Sequence, residues 1–214
     1  MKTVQRNHSQ RLGGMTLVEM MVAIAITLIA MQGFTFLFLQ TWDTNKFILE
    51  EGMASAAASR ATNKIVIQLR GVQQADNGDY PLESGDDFDL VFYSDIDDDG
   101  AVEKVHYFLD DAADQLRLGV SNPIATNPVT YPGADDAVSV VANYVVNEAD
   151  DPIFYYYNSD YPSDTTNNPL ATPVTVGAVQ MIRVKLYVNI NPVHAPDNIN
   201  IESFVDLRNL HDYE

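Results

Sequence analysis

The chain has no cysteine. No disulfide can staple it, so its folded part must be held by an apolar core and a hydrogen-bonded backbone. The absence does not fix the compartment, since many exported proteins also lack cysteine. Basic residues are scarce, with 12 Lys and Arg against 30 Asp and Glu and a formal net charge of −18. That balance argues against a nucleic-acid partner, because phosphate backbones are held by clustered Lys and Arg. Nor does a polybasic cluster flank the apolar segment to hold anionic lipid. The signatures of common enzymes are missing: no G-x-S-x-G, no H-E-x-x-H, no P-loop and no Rossmann fingerprint. The histidines, His8, His106, His194 and His211, are scattered, and isolated histidines are more often surface or core residues than ligands. The expectation is a protein that is not an enzyme.

What the chain does have begins at its N-terminus. A basic leader carries Lys2, Arg6 and Arg11 and no acid, and it ends in Gly13-Gly14. Met15-Thr16-Leu17-Val18-Glu19 follows, and after Glu19 no charge occurs until Asp43. An acidic residue near the start of a membrane-length apolar run is costly unless something neutralises it. The leader's charge predicts that it stays cytoplasmic. An ordinary secretory signal would instead place small residues after its apolar core.

These residues resemble the class III signal of type IV pilins and type II secretion pseudopilins. The resemblance implies a prepilin peptidase that cuts between Gly14 and Met15 and methylates the new amine of Met15. Glu19 is then the fifth residue of the mature chain, where the family carries its glutamate. Met15 departs from the more usual phenylalanine. The resemblance also implies that Glu19 forms a salt bridge to the Met15 amine of a neighbouring subunit and so sets the register of assembly. The alternative for Glu19 is a lone carboxylate that is protonated or reaches towards the cytoplasmic face. Loss of the leader would make the mature chain three charges more negative still.

A looser similarity, to the minor pseudopilin J branch, lies in Leu90-Val91-Phe92-Tyr93-Ser94-Asp95-Ile96-Asp97-Asp98-Asp99-Gly100, in Glu103 to Leu109, and in the ending Glu202 to Leu210. It implies a minor subunit acting at a filament tip or in its initiation. The disulfide-closed C-terminal loop of many Gram-negative pilins is absent.

From Met15 to Leu39 the chain is apolar apart from Glu19, Gln32 and scattered threonines, and about 20 helical residues cross a hydrocarbon core. No proline occurs between Met15 and Tyr80, and Gly33 is the one glycine of the apolar half. Ala54, Ala58, Ala61, Ile65, Leu69 and Val72 recur at three- and four-residue steps, which predicts an apolar stripe on a continuing helix. Gly71 is a stop signal. The expectation is one helix of roughly 55 residues, about 80 Å at 1.5 Å per residue. Its residues 15–40 would form the transmembrane half and 41–72 an extracytoplasmic half packed under a sheet.

Residues 73–214 read as a β-rich extracytoplasmic domain. Asn77 to Pro81 reads as loop. Strands are predicted at Phe88–Tyr93, Val102–Leu109 and Gln115–Val120, the first two as a hairpin, then at Val138–Val146, Ile153–Tyr157 and Val179–Ile190. Phe204 to Leu210 is expected to close the sheet. The fold class is therefore α+β: a pilin-like long helix packed on an antiparallel sheet.

Asp95, Asp97, Asp99 and Gly100 form D-x-D-x-D-G, the opening half of a calcium loop. Position twelve, which needs a bidentate acid, is His106, though Glu103 could fold back to complete a site. The competing interpretation is an acidic hairpin turn. The pairs Asp86-Asp87, Asp110-Asp111, Asp135-Asp136 and Asp150-Asp151 are expected on solvated loops. Phe154-Tyr155-Tyr156-Tyr157 reads as a half-buried strand.

The expected function is a structural minor pseudopilin or minor pilin, with prepilin peptidase, other pilins, the inner-membrane assembly platform and the lipid bilayer as partners. No cofactor is implied beyond the candidate calcium ion. The expected location is the inner membrane with the C-terminal domain outside, and later a filament. The sequence does not choose between a secretion pseudopilus and a type IV pilus. The alternative is a membrane-anchored calcium-binding or adhesive module that never polymerises.

Overall fold

The computed structural model describes residues 14–189 and 198–213. The expected leader up to residue 13, with His8, and also His194 lie outside these. The chain divides into two compact units, one reaching Ile48 and one beginning at Leu49. Helix α1, Leu17–Arg70, contributes to both.

In the first unit α1 is apolar around its whole circumference. Met21, Ile29, Phe34 and Leu37, on different sides of the helix, are all exposed. With 54 residues it is long and apolar enough to cross a membrane. Its hydroxyls are satisfied internally. Thr27, Thr35, Thr41 and Thr44 each donate to the carbonyl four residues back, at 2.8–2.9 Å. That removes the cost of placing an unpaired hydroxyl in an apolar medium.

In the second unit the rest of α1 buries one stripe: Ala54, Ala58, Ala61, Ile65 and Leu69. The sequence spacing predicted this face, and Val72 just beyond the helix is buried with it. The helix ends at Arg70, one residue before Gly71. One of its last carbonyls, and that of Gly71 just beyond it, have a partner in the sheet: the Ser94 hydroxyl donates to Gln68 O at 3.3 Å and to Gly71 O at 3.1 Å.

Eight strands follow: β1 Leu82–Gly85, β2 Asp89–Ser94, β3 Glu103–Asp110, β4 Gln115–Ser121, β5 Ala137–Asn143, β6 Phe154–Tyr157, β7 Met181–Val188 and β8 Ile199–Asp206. They form two antiparallel sheets, β1-β2-β3-β4-β5 and β6-β7-β8. Leu90, Phe92, Val105, Tyr107, Leu116 and Leu118 from the first join Ile182, Val184 and Leu186 from the second over Ile65 and Leu69. β7 alternates as its sequence predicts, with Ile182, Val184, Leu186 and Val188 inward. Tyr107 is buried and donates its hydroxyl to Gln68 of α1. Burial raises its pKa, so it stays a donor.

Four expectations need correction. Two sheets form where one was expected, because strands from both are needed to enclose the stripe on α1. β1 occupies a segment for which no strand was expected, between the loop ending at Pro81 and the strand from Phe88, since Leu82 is an apolar anchor in a stretch otherwise rich in turn residues. The fifth strand ends at Asn143, where Tyr144 takes φ 61° and the chain leaves the ladder. The last strand is Ile199–Asp206 rather than Phe204–Leu210; Leu207 and Leu210 are buried beyond it, with a short 3-10 helix over Arg208–Tyr213. Their apolar spacing, read as a strand, reflects burial at the edge of the core.

Candidate functional site

Gly14, Met15 and Thr16 precede α1 in exposed chain outside any helix or strand, so the Gly14–Met15 peptide is accessible. Thr16 is the N-cap. Glu19 N donates to Thr16 Oγ1 at 3.3 Å. Thr16 N and Thr16 Oγ1 donate to Glu19 Oε2 at 3.2 and 3.3 Å. This reciprocal capping box satisfies helix-end donors with an acid placed at the positive end of the helix dipole. Glu19 is thus not free. It has a local partner, which the sequence reading missed although T-x-x-E announces it.

The acidic loop joins β2 to β3. The structure gathers Asp95, Asp97 and Asp99, with one carboxylate oxygen of each within 4.8 Å of the others. Asp95 accepts from Asp98 N at 2.7 Å and from Gly100 N at 3.1 Å, and Asp99 accepts from Ala101 N at 2.8 Å. Gly100 sits at φ 89°, which only glycine adopts freely. Glu103 is 2% exposed and its Oε2 accepts from Ile96 N at 2.9 Å, but it is not one of the converging carboxylates. Burial pushes its pKa up, the Ile96 amide pulls it down, and the nearby Asp97 and Asp95 charges add to the rise. The loop concentrates negative charge with no cation paired to Asp95, Asp97 or Asp99 among the described residues.

A third cluster was not expected. His106 on β3 lies between two carboxylates: Nε2 is 2.8 Å from Asp89 Oδ2 on β2, and Nδ1 is 3.1 Å from Asp135 Oδ2 in the loop before β5. Asp135 reaches it by lying across β4 at Gly119, the residue paired with His106; a Cβ there would stand 2.0 Å from Asp135 Oδ2. The hydrogen bond that His106 donates to Asp89 leads the causes that raise the His106 pKa, burial opposes it, and the Asp135 contact adds to the rise. Only the imidazolium donates from both ring nitrogens, so this geometry suits the charged form.

In each of the other acidic pairs one member is exposed as expected, Asp86, Asp111, Asp136 and Asp150, while its neighbour is half-buried and partnered. Asp110 pairs with Arg117 at 2.8 Å, Asp151 with Lys185 at 2.7 Å, and Asp87 accepts from Thr172 at 2.8 Å. Each partner is distant in sequence or on another strand, so spacing alone could not reveal it. Phe154, Tyr156 and Tyr157 are buried and Tyr155 half-buried, more enclosed than the half-buried strand expected.

No family model, curated protein or solved structure matches the chain. The site is therefore read from its own residues. Met15 and Glu19 share the start of α1. Asp95, Asp97 and Asp99 share a loop of the second unit. Neither set contains a nucleophile held against a base.

Proposed function

We propose that the chain is a structural subunit, a minor pseudopilin or minor pilin, that assembles through α1 into a type II secretion pseudopilus or a type IV pilus, at its tip or in its initiation. The observation that carries this is Glu19: one carboxylate in an apolar segment whose side chains are exposed all round, five positions after an accessible Gly14–Met15 peptide. Prepilin peptidase cuts that peptide and methylates Met15. The new amine is the cation that a carboxylate in lipid requires. Both Thr16 bonds go to Oε2 of Glu19, and a carboxylate has further lone pairs for a neighbour's amine. The protein resides in the inner membrane with its β domain outside, beside the assembly platform, until its α1 packs among those of other subunits.

The test compares Glu19→Ala and Glu19→Gln with wild type. Glutamine still serves in a capping box but carries no charge. Both variants should be cut and methylated, as read by intact mass, and both should be depleted at least tenfold from sheared filaments. Wild-type incorporation of Glu19→Gln would reduce the residue to its capping role. An uncut chain would remove the filament reading altogether.

A second reading is favoured by the convergence of Asp95, Asp97 and Asp99. In it the chain is a membrane-anchored module that binds calcium or a surface partner and never polymerises. Cleavage and filament incorporation separate the two.

A further inference from the structure

β5 is the outer strand of the five-stranded sheet, and it lacks the protection that outer strands carry. Ala137–Asn143 reads Ala-Val-Ser-Val-Val-Ala-Asn, without charge or proline. Ala137, Val138, Ser139 and Val140 are exposed on both faces, Val138 at 50% and Val140 at 48%. Val141 is the extra residue of a bulge, since Leu116 pairs with Ala142 and Arg117 with Val140; the unbulged stretch is Ala137–Val140. Among the described residues the backbone of this strand makes no hydrogen bond except to β4.

The other edges are managed. β1 is covered where Val174 N donates to Gly85 O at 2.9 Å, and β6 where Leu170 N donates to Tyr156 O at 2.8 Å. β8 carries exposed Glu202 and Asp206. Folded proteins shield or charge their edges because a free ladder recruits other strands. An edge left bare beside three guarded ones is a place for strand addition.

We infer that β5 receives an extended segment of a different subunit as a sixth strand of this sheet. This rests on the filament reading for the identity of the partner. Backbone groups select an extended chain, and Val138 and Val140 select small β-branched side chains opposite them. The flanks select charge. Exposed Asp136 lies immediately before the strand and exposed Glu148 and Asp150 follow soon after it, while Asp135 and Asp151 are taken by His106 and Lys185. The incoming strand therefore carries Lys or Arg at its ends. A second copy of this chain fits poorly, since it repeats the same acids and the same net charge of −18.

The experiment is amide hydrogen exchange on the full chain, in native membranes or sheared filaments and after purification in detergent. Amides of Ala137–Asn143 should exchange at least tenfold more slowly in the native setting, with those of β8 unchanged. The double variant Val138→Lys and Val140→Lys should lose that protection, because it places cations against a basic-flanked strand, while its tyrosine near-UV dichroism stays that of wild type. Equal exchange in both settings overturns strand addition. So does protection that survives the double variant. Protection in membranes from a protein absent from filaments would keep the added strand and remove the filament as its source.

Discussion

Replacing His106 by glutamine tests the two-carboxylate clamp most directly. The imidazolium donates to Asp89 and Asp135 together, whereas glutamine is neutral and its amide serves one of them well. The two contacts differ in value. Asp89 is 47% exposed, so its pairing is screened and contributes about 0.5 kcal/mol. Asp135 is 16% exposed, and leaving that carboxylate without its cation costs about 1.5 kcal/mol. His106→Gln should therefore lose about 2 kcal/mol at pH 5.5, a fall in Tm of about 4–8 °C for a chain of this size. The sign with pH follows from the raised pKa. The folded state holds the proton more tightly than the unfolded chain, so the clamp's contribution is complete below the unfolded value of 6.5 and fades as pH rises through the higher folded value. At pH 9 histidine and glutamine each donate one bond, and the gap should close to within about 0.5 kcal/mol. The assay is thermal unfolding of the full chain in detergent, followed by the near-UV signal of the tyrosines of the β domain, from pH 5.5 to 9. A gap of equal size at both ends of that range would refute the clamp and leave His106 as a packing residue beside Phe108, 4.7 Å away between ring centroids.

Gly119→Ala should act on the same clamp from β4. Its methyl group would collide with Asp135 and push the carboxylate off His106; an NMR titration of the His106 ring should then show its pKa moving down towards 6.5, and an unmoved titration would count against the reasoning. Ile65→Ala should cost about 3 kcal/mol, because Ile65 is fully buried where α1 meets both sheets, and a chemical-denaturation midpoint within error of wild type would contradict that placement. Calcium at 100 times its Kd should add about 2.7 kcal/mol of stability if Asp95, Asp97 and Asp99 hold it, and Asp97→Asn should abolish the gain. Identical melting in calcium and in chelator would remove the ion from the account.

Much of this protein was legible in its sequence because the deciding interactions are local or periodic. The length of α1 follows from an apolar run, the lack of proline and a stop at Gly71, and each acts within a turn or two of helix. The buried stripe from Ala54 to Leu69 follows from helical periodicity, and the faces of β7 follow from alternation. The convergence of Asp95, Asp97 and Asp99 follows from their spacing of two in a tight turn. The capping box at Thr16 and Glu19 was equally local.

Tertiary structure alone decided the rest. His106, Asp89 and Asp135 meet because β2, β3 and the loop before β5 are brought into register, and Gly119 leaves the room for them to do so. No spacing along the chain encodes that meeting. The division into two sheets was decided by the need to enclose one helix stripe from more than one side. The exposure of β5 was decided by strand order, since a valine-rich segment reads the same whether it lies at the centre of a sheet or at its edge. Composition and periodicity fix which elements form and which faces turn inward; the pairing of elements far apart in the chain fixes which charges meet and which edge stays open.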